Sequence, residues 1–419
     1  MKSYLFLSIT VLFLLSGCSS DSGQKEVQDD AAIELAQGRW LLHFKLTDNH
    51  IIPANFNLNK IGDRYAVEFT NGDEKIAVND ITIDHRTIKI FDPVFNTWFE
   101  GELINEKTIR GTWYKNDKSY TIPFEAYQTD DKRFVRELVP PSADFNGKWE
   151  VDFSKDSEED HYKAIGQFEQ KDNYLTGTFM TETGDYRFLE GNVYGDSAFL
   201  SCFDGAHLFL FEAQMKGDSM SGKFWSGTHW QEPWVAGRNE NFELTNPDSL
   251  TFLKEGYDRL AFTFPDTHGD SVSLSDEKYK NKVVIVNIMA PWCPNCKDET
   301  AYLSKLYKNN HDKGLEIIAL SFDNSSDFEV AKKNIEKIKA HFAADYDFLI
   351  AGESSKIVAA KALPMLNHIM SYPTSIFIDR KGNIRKIRTG FYGPGTGEYY
   401  LRYTEQTDNL VAKLLEEQP

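Results

Sequence analysis

Two patterns of apolar and polar residues divide this chain of 419 residues. Over about 36–248, short runs alternate apolar and polar positions with a period of two, the spacing of half-buried strands. Turn dipeptides separate the runs: Asn71-Gly72, Asn116-Asp117, Gly184-Asp185, Gly195-Asp196 and Gly217-Asp218. Beyond 256 the pattern changes. Residues 283–288 form an unbroken apolar run, as in a strand buried on both faces. Ala301, Leu303, Leu306 and Tyr307 then share one face of a helix. Further on, the pattern predicts a buried strand over 315–322 and an amphipathic helix over 327–342 with Val330, Ile335, Ile338 and Phe342 inward. An extended segment over 346–350 and a helix over 354–362, stopped by Pro364, follow. A hairpin of 375–379 with 384–389 and a closing helix over 405–415 complete the pattern. Strands alternating with helices imply a central mixed sheet covered on both faces.

The strand-rich region repeats itself. Gly38-Arg39-Trp40 recurs as Gly147-Lys148-Trp149, and Phe99-Glu100 as Phe211-Glu212. Gly111-Thr112-Trp113 recurs as Gly222-Lys223-Phe224-Trp225. The expected organisation is therefore multidomain: β repeat 1 over 36–130, β repeat 2 over 146–248, and an α/β domain over 256–419. Residues 139–143, with Pro140 and Pro141, link the two copies, and Asn246-Pro247-Asp248 begins a hinge. Each copy has room for seven or eight strands of ordinary length, as a small barrel or half of a sandwich. Trp98, Trp113, Trp225, Trp230 and Trp234 either line a ligand cavity or fill the barrels; filling is the expected role. Cys202 reads as a buried, inert thiol, and His43, His50, His85, His161, His207 and His229 as structural residues without ligand spacing.

A net charge of −18 argues against nucleic acid and anionic membrane surfaces as partners. The amino-terminal segment places Lys2 before an apolar core, residues 5–15, too short to span a bilayer. Leu15-Ser16-Gly17-Cys18 resembles a bacterial lipobox, with an ordinary secretory signal as the competing reading. The resemblance implies a signal peptide over 1–17, lipid on Cys18 and a flexible tether over 18–35. No Asp follows Cys18 directly, so the expected site is the periplasmic face of the outer membrane, with the inner membrane or the cell surface as alternatives. Either signal exports the chain to an oxidising compartment.

The chemistry lies in Trp292-Cys293-Pro294-Asn295-Cys296, between the buried strand and the helix. A thiolate attacks a disulfide, and the unpaired N–H groups at a helix start favour that charge at Cys293. Cys296, one turn on, is placed to resolve a mixed disulfide. Half a zinc site would need a second ligand pair, and no Cys or His pair supplies one. A c-type haem anchor would need His where Lys297 stands. An inert structural disulfide is the remaining alternative. Glu299, one turn beyond Cys296, either exchanges the resolving proton or is a surface carboxylate. No metal or cofactor is expected.

From about 260 onward the chain resembles the TlpA/ResA branch of the thioredoxin superfamily. The resemblance rests on Phe262-Thr263-Phe264-Pro265-Asp266 with residues 269–276, on Asn287 before the Cys pair, and on Glu299 after it. It rests also on Ser371-Tyr372-Pro373-Thr374-Ser375 and on residues 390–397. It implies a thiol-disulfide oxidoreductase acting on protein thiols and disulfides, kept reduced by a membrane electron donor. It also implies a cis Pro373 near Cys293, the backbone of Tyr372 offered to an extended substrate, and Trp292 covering the pair. Tyr372 departs from the small or β-branched residue common there. Two other functions compete: a ligand- or glycan-binding lipoprotein with an accessory redox domain, and a peroxidase, whose reactive Cys normally stands alone.

Overall fold

In the computed structural model, residues 33–418 are described except 47–49, 117, 135, 137 and 138. The signal peptide, Cys18 and most of the expected tether lie outside the described residues. The last part of that tether is not flexible. Leu35 is buried in the first β core, and its N–H donates to Tyr65 Oη at 3.1 Å.

The alternating region folds as two consecutive up-and-down barrels, not a sandwich. In the first, a meander from Gly38–Lys45 to Tyr120–Gln128 closes on itself, with Trp40 opposite Gln128 and Phe44 opposite Phe124. Its fourth strand is broken at Asn79: Glu74–Val78 pairs with the preceding strand and Asp80–Asp84 with the following one. The second barrel runs from Gly147–Phe153 to Trp230–Arg238 and closes in the same way, Phe153 lying opposite Trp234. Its fourth strand is also broken, into Gly184–Asp185 and Leu189–Tyr194.

The repeated motifs have repeated jobs. Trp40 and Trp149 are fully buried, and each indole N–H donates to the carbonyl four residues back, Ala36 at 3.0 Å and Phe145 at 3.1 Å. Gly111 and Gly222 cross the neighbouring strand so closely that a Cβ would lie 2.2 Å from Glu100 O and 2.1 Å from Glu212 O. Only glycine fits such an approach. Register makes Phe224, not Trp225, the counterpart of Trp113.

Aromatic rings fill both interiors: Trp40, Phe44, Phe69, Phe99 and Trp113 in the first, Trp149, Phe153, Phe179, Phe211 and Trp234 in the second. Cys202 lies in the second core with no exposure. Trp98 stacks on Tyr114, Trp225 packs against the first barrel, and Trp230 is exposed, so these three do not fill the barrel they belong to. Phe203 leaves the second barrel and enters the first core, its ring centroid 4.9–5.8 Å from Phe44, Phe69, Phe99 and Trp113.

The link between the barrels contains a buried cation. Arg133 donates to Asn55, Asn71 and Ser201 and pairs with Glu190 at 2.8 Å. The expected hinge is fastened too. Thr389 N–H donates to Pro247 O, Asn367 N–H to Phe252 O, and Asp248 lies 2.8 Å from Lys386.

The remaining domain carries a five-stranded mixed sheet in the order Asp347–Glu353, Leu315–Asp323, Val283–Met289, Thr374–Ile378, Ile384–Thr389. The first two pairings are parallel and the last two antiparallel. Val283–Met289 is buried at all seven positions, as an unbroken apolar run requires in a central strand. Four α-helices flank the sheet: α1 (Pro294–Asn310), α2 (Phe328–Phe342), α3 (Lys356–Ala362) and α4 (Glu398–Glu416). Helices α1, α2 and α4 cover one face; α3 and the hairpin of Thr263–Pro265 with Ser271–Ser273 cover the other. Val330, expected inward on α2, is exposed, and Ala331 takes the buried place beside Ile335 and Ile338.

Candidate redox site

Cys293 caps the amino end of α1. Its Sγ accepts the Cys296 N–H at 3.3 Å, and Pro294 occupies the first helical turn, where no N–H is missed. Cys296 lies beneath it with no exposure, and burial, reinforced by the neighbouring Cys293, pushes its thiol pKa well up. The two sulfurs thus differ: one accepts an N–H at the helix start, and the other is buried and held as a thiol.

Across from the pair, the Tyr372–Pro373 bond is cis, and Tyr372 O lies 3.4 Å from Cys293 Sγ, which donates to it. The Tyr372 ring packs on Phe322 and meets Trp292 edge-on at 6.1 Å, while its hydroxyl donates to Ser354 O. Trp292 therefore stands beside the pair, half-buried. Gly390 N–H donates to Pro373 O at 2.9 Å and braces the loop from behind.

Glu299 is not a surface carboxylate. It is buried on the inner face of α1 and accepts from Asn287 Nδ2 at 2.6 Å, Ser375 Oγ at 3.0 Å and Tyr403 Oη at 2.5 Å. Burial raises its pKa against the pull of these three donors. A carboxyl whose pKa moves toward neutrality is suited to exchanging the resolving proton. Tyr403 escaped the sequence reading, and Ser375 was named there only as part of the Pro373 loop; Asn287, already singled out, was the signal pointing to a buried partner.

The site is not open. Cys293 is 8% exposed. Part of the cover comes from the second barrel. Gly184-Asp185, expected as a turn, is a short strand, and the turn itself is Glu182-Thr183. This hairpin lies on the redox loops. Ser371 Oγ donates to Thr183 O at 2.6 Å, Asn295 Nδ2 to Asp185 O at 3.3 Å, and Gly393 N–H to Asp185 Oδ2 at 2.6 Å. Gly184 has φ +150°, and a Cβ there would stand 2.3 Å from Asn295 Nδ2. Just beyond it, buried Arg187 pairs with Asp298 of α1 and with Glu74 of the first barrel, and Asp204 lies 3.9 Å away. Burial would lower the Arg187 pKa, but Glu74, Asp204 and Asp185 together raise it. An arginine set between two aromatics, Tyr186 and Phe188, was the available sequence signal for such a buried cation.

A helix-capping dithiol opposite a cis-proline loop, on a mixed five-stranded sheet, defines a thioredoxin-like redox protein. The Redoxin family model matches residues 254–398. Thioredoxin-like protein YneN of Bacillus subtilis (strain 168) is 31% identical over 138 residues, 33% of this chain and 73% of that one. A thiol-disulfide oxidoreductase ResA of Bacillus cereus is 33% identical over 133 residues, 32% of this chain and 68% of that one. Among solved structures, a thiol:disulfide interchange protein of the thioredoxin family from Chlorobium tepidum TLS aligns with 39% of this chain and 98% of its own, at 19% identity and a TM-score of 0.30. The chain belongs to the family of thioredoxin-like thiol-disulfide oxidoreductases.

Proposed function

We propose that this protein is an exported, lipid-anchored thiol-disulfide oxidoreductase that reduces or exchanges protein disulfides through the Cys293–Cys296 dithiol. The observation that carries the reading is the pairing of Cys293 at the helix cap with a buried Cys296 whose N–H faces its sulfur. Cys293 attacks a substrate disulfide, and one substrate sulfur leaves as a thiol. Cys296 then attacks Cys293 Sγ, releasing the second substrate thiol and closing the Cys293–Cys296 disulfide. Glu299 takes up the proton that Cys296 gives. A membrane electron donor returns the pair to the dithiol.

Export and anchoring rest on Leu15-Ser16-Gly17-Cys18 after a short apolar core. The periplasmic face of the outer membrane is the proposed location, because no Asp follows Cys18. Incorporation of labelled palmitate, lost in Cys18→Ala, is the expected result; label that persists would contradict it. The redox reading is tested by equilibrating the full chain with dithiothreitol buffers. The pair should interconvert reversibly, with a potential between roughly −270 and −120 mV, the range of thioredoxin-like domains. A pair that stays dithiol under excess oxidant would overturn the reading.

A further inference from the structure

The barrel interiors are packed, but the mouth of the second barrel is not. Between it and the redox centre lies a cavity of about 1050 Å3. Tyr186, Phe209, Phe224 and Trp230 form its apolar wall, and Trp292 and Asn295, which flank Cys293 in sequence, form part of its redox side. A side pocket of about 170 Å3 adjoins it, sharing Lys115, His207, Ser226 and His229 with the main cavity and adding Trp113 and Tyr120.

Access makes this cavity matter. A substrate strand lying along the cis-proline loop would meet the hairpin tip, where Thr183 O already takes the Ser371 hydroxyl and Glu182 O lies 3.0 Å from where a Gly390 Cβ would be. A bulky folded surface is therefore kept from Cys293 unless the hairpin lifts. A slender ligand in the cavity reaches Trp292 and Asn295 without that rearrangement.

The charges in the cavity indicate what it takes. Three of its four acids, Glu182 being the exception, are committed. Glu232 accepts from Ser154 and Tyr162, Asp185 from Gly393 and Arg187, and Asp160 from Ser157. Two of its bases are paired, Lys163 with Glu150 and Asp152, and His161 with Asp152. His207 is held by Asp204. Lys115 differs. Its ammonium donates to the Ala206 carbonyl at 2.7 Å, and among the described residues no carboxylate stands within ion-pair distance of it. Burial lowers its pKa, while Asp204, beyond ion-pair distance, pulls the other way. His229, edge-on to Tyr120, adds a second donor-capable ring nearby. A partly desolvated cation with no carboxylate in ion-pair contact, beside an aromatic wall, suits a ligand carboxylate.

Building on the proposed redox function, we infer that this cavity is its substrate-recognition site, and that the substrate is a short, extended disulfide carrying a carboxylate that pairs with Lys115. The ligand sulfur is then presented to Cys293 past Trp292. Two electrons pass from the dithiol to the ligand disulfide, which leaves as two thiols while Cys293 and Cys296 become a disulfide.

The test is a single-turnover oxidation of the pre-reduced full chain by glutathione disulfide and by its carboxyl-esterified form. The acid should react about tenfold faster, the effect of one ion pair worth about 1.4 kcal/mol. Lys115→Met should remove the preference and Lys115→Arg should keep it. The wild-type comparison is informative even if Lys115→Met fails to fold. The chain carries a net charge of −18, so its overall field disfavours an anion, and a preference for the acid requires a local cation. Equal rates for the two forms, or a preference that survives in Lys115→Met, would overturn the assignment while leaving the redox function intact. If neither form nor oxidised dithiothreitol oxidises the pair, the redox function falls, and this inference with it.

Discussion

The two barrels are built alike and used differently. Each closes first strand on last, each anchors a buried Trp to a carbonyl four residues back, and each breaks its fourth strand. In the first barrel that break is the single residue Asn79. In the second it comprises 186–188, and Arg187 within it reaches α1 and the first barrel at once. The turn before it, Glu182-Thr183, lies over the redox loops. A scaffold that needs only its G-x-W anchor and its crossing glycine to close is free to vary at the break. The second copy has used that freedom to wall in a dithiol.

The comparison breaks first at Arg187. Arg187→Met leaves Asp298, Glu74 and Asp204 without their shared cation, and losing one partner of a buried ion pair costs about 3–5 kcal/mol. Denaturant unfolding should register a loss of that size, and limited proteolysis should cut the loops between barrel and redox domain. A loss below about 1 kcal/mol would mean that the junction is only a contact and that the second barrel is no more tied to the site than the first.

Glu299 separates the chemistry of the site from its cover. Its folded pKa lies above the usual value near 4.5, so it favours folding fully below that value, and the contribution falls as pH rises through the folded pKa. Each unit of displacement is worth about 1.4 kcal/mol. Glu299→Gln should therefore gain stability relative to the wild type as pH rises above 4.5, while the release of mixed disulfides slows. A stability difference that is flat with pH would remove the buried-acid role. A smaller contrast uses two glycines. Gly184→Ala forces a Cβ against Asn295, whereas Gly72→Ala in the first barrel meets only Thr176 at 3.4 Å. Alkylation of Cys293 by iodoacetamide should quicken several-fold in the first variant and hold constant in the second. Equal rates would place the cover elsewhere.

What the sequence revealed follows from how locally each feature is encoded. The dithiol, its helix and Pro373 lie in short stretches whose residue types fix their own geometry. The repeat was legible because its anchors recur at nearly constant spacing. Arg133, Arg187 and the hairpin were not legible as site-builders, because the partners that tie them across domains, Glu190 for Arg133 and Asp298 and Glu74 for Arg187, stand 57 or more residues away and follow no period. Gly184-Asp185 read as a turn because such dipeptides usually are one; here the glycine serves a close approach to Asn295 instead. Val330 fitted the helical stripe, but α2 sits rotated so that Ala331 faces the sheet.

The central claim is that Cys293, beneath the second barrel, is the attacking sulfur of a working dithiol. Its most direct test is a trap. Full-length Cys296→Ser, reduced and then mixed with a disulfide peptide, should accumulate one mixed disulfide, and peptide mapping by mass spectrometry should place it on Cys293, with Cys202 unmodified. No adduct in this variant, or an adduct on Cys202 instead, would contradict the account.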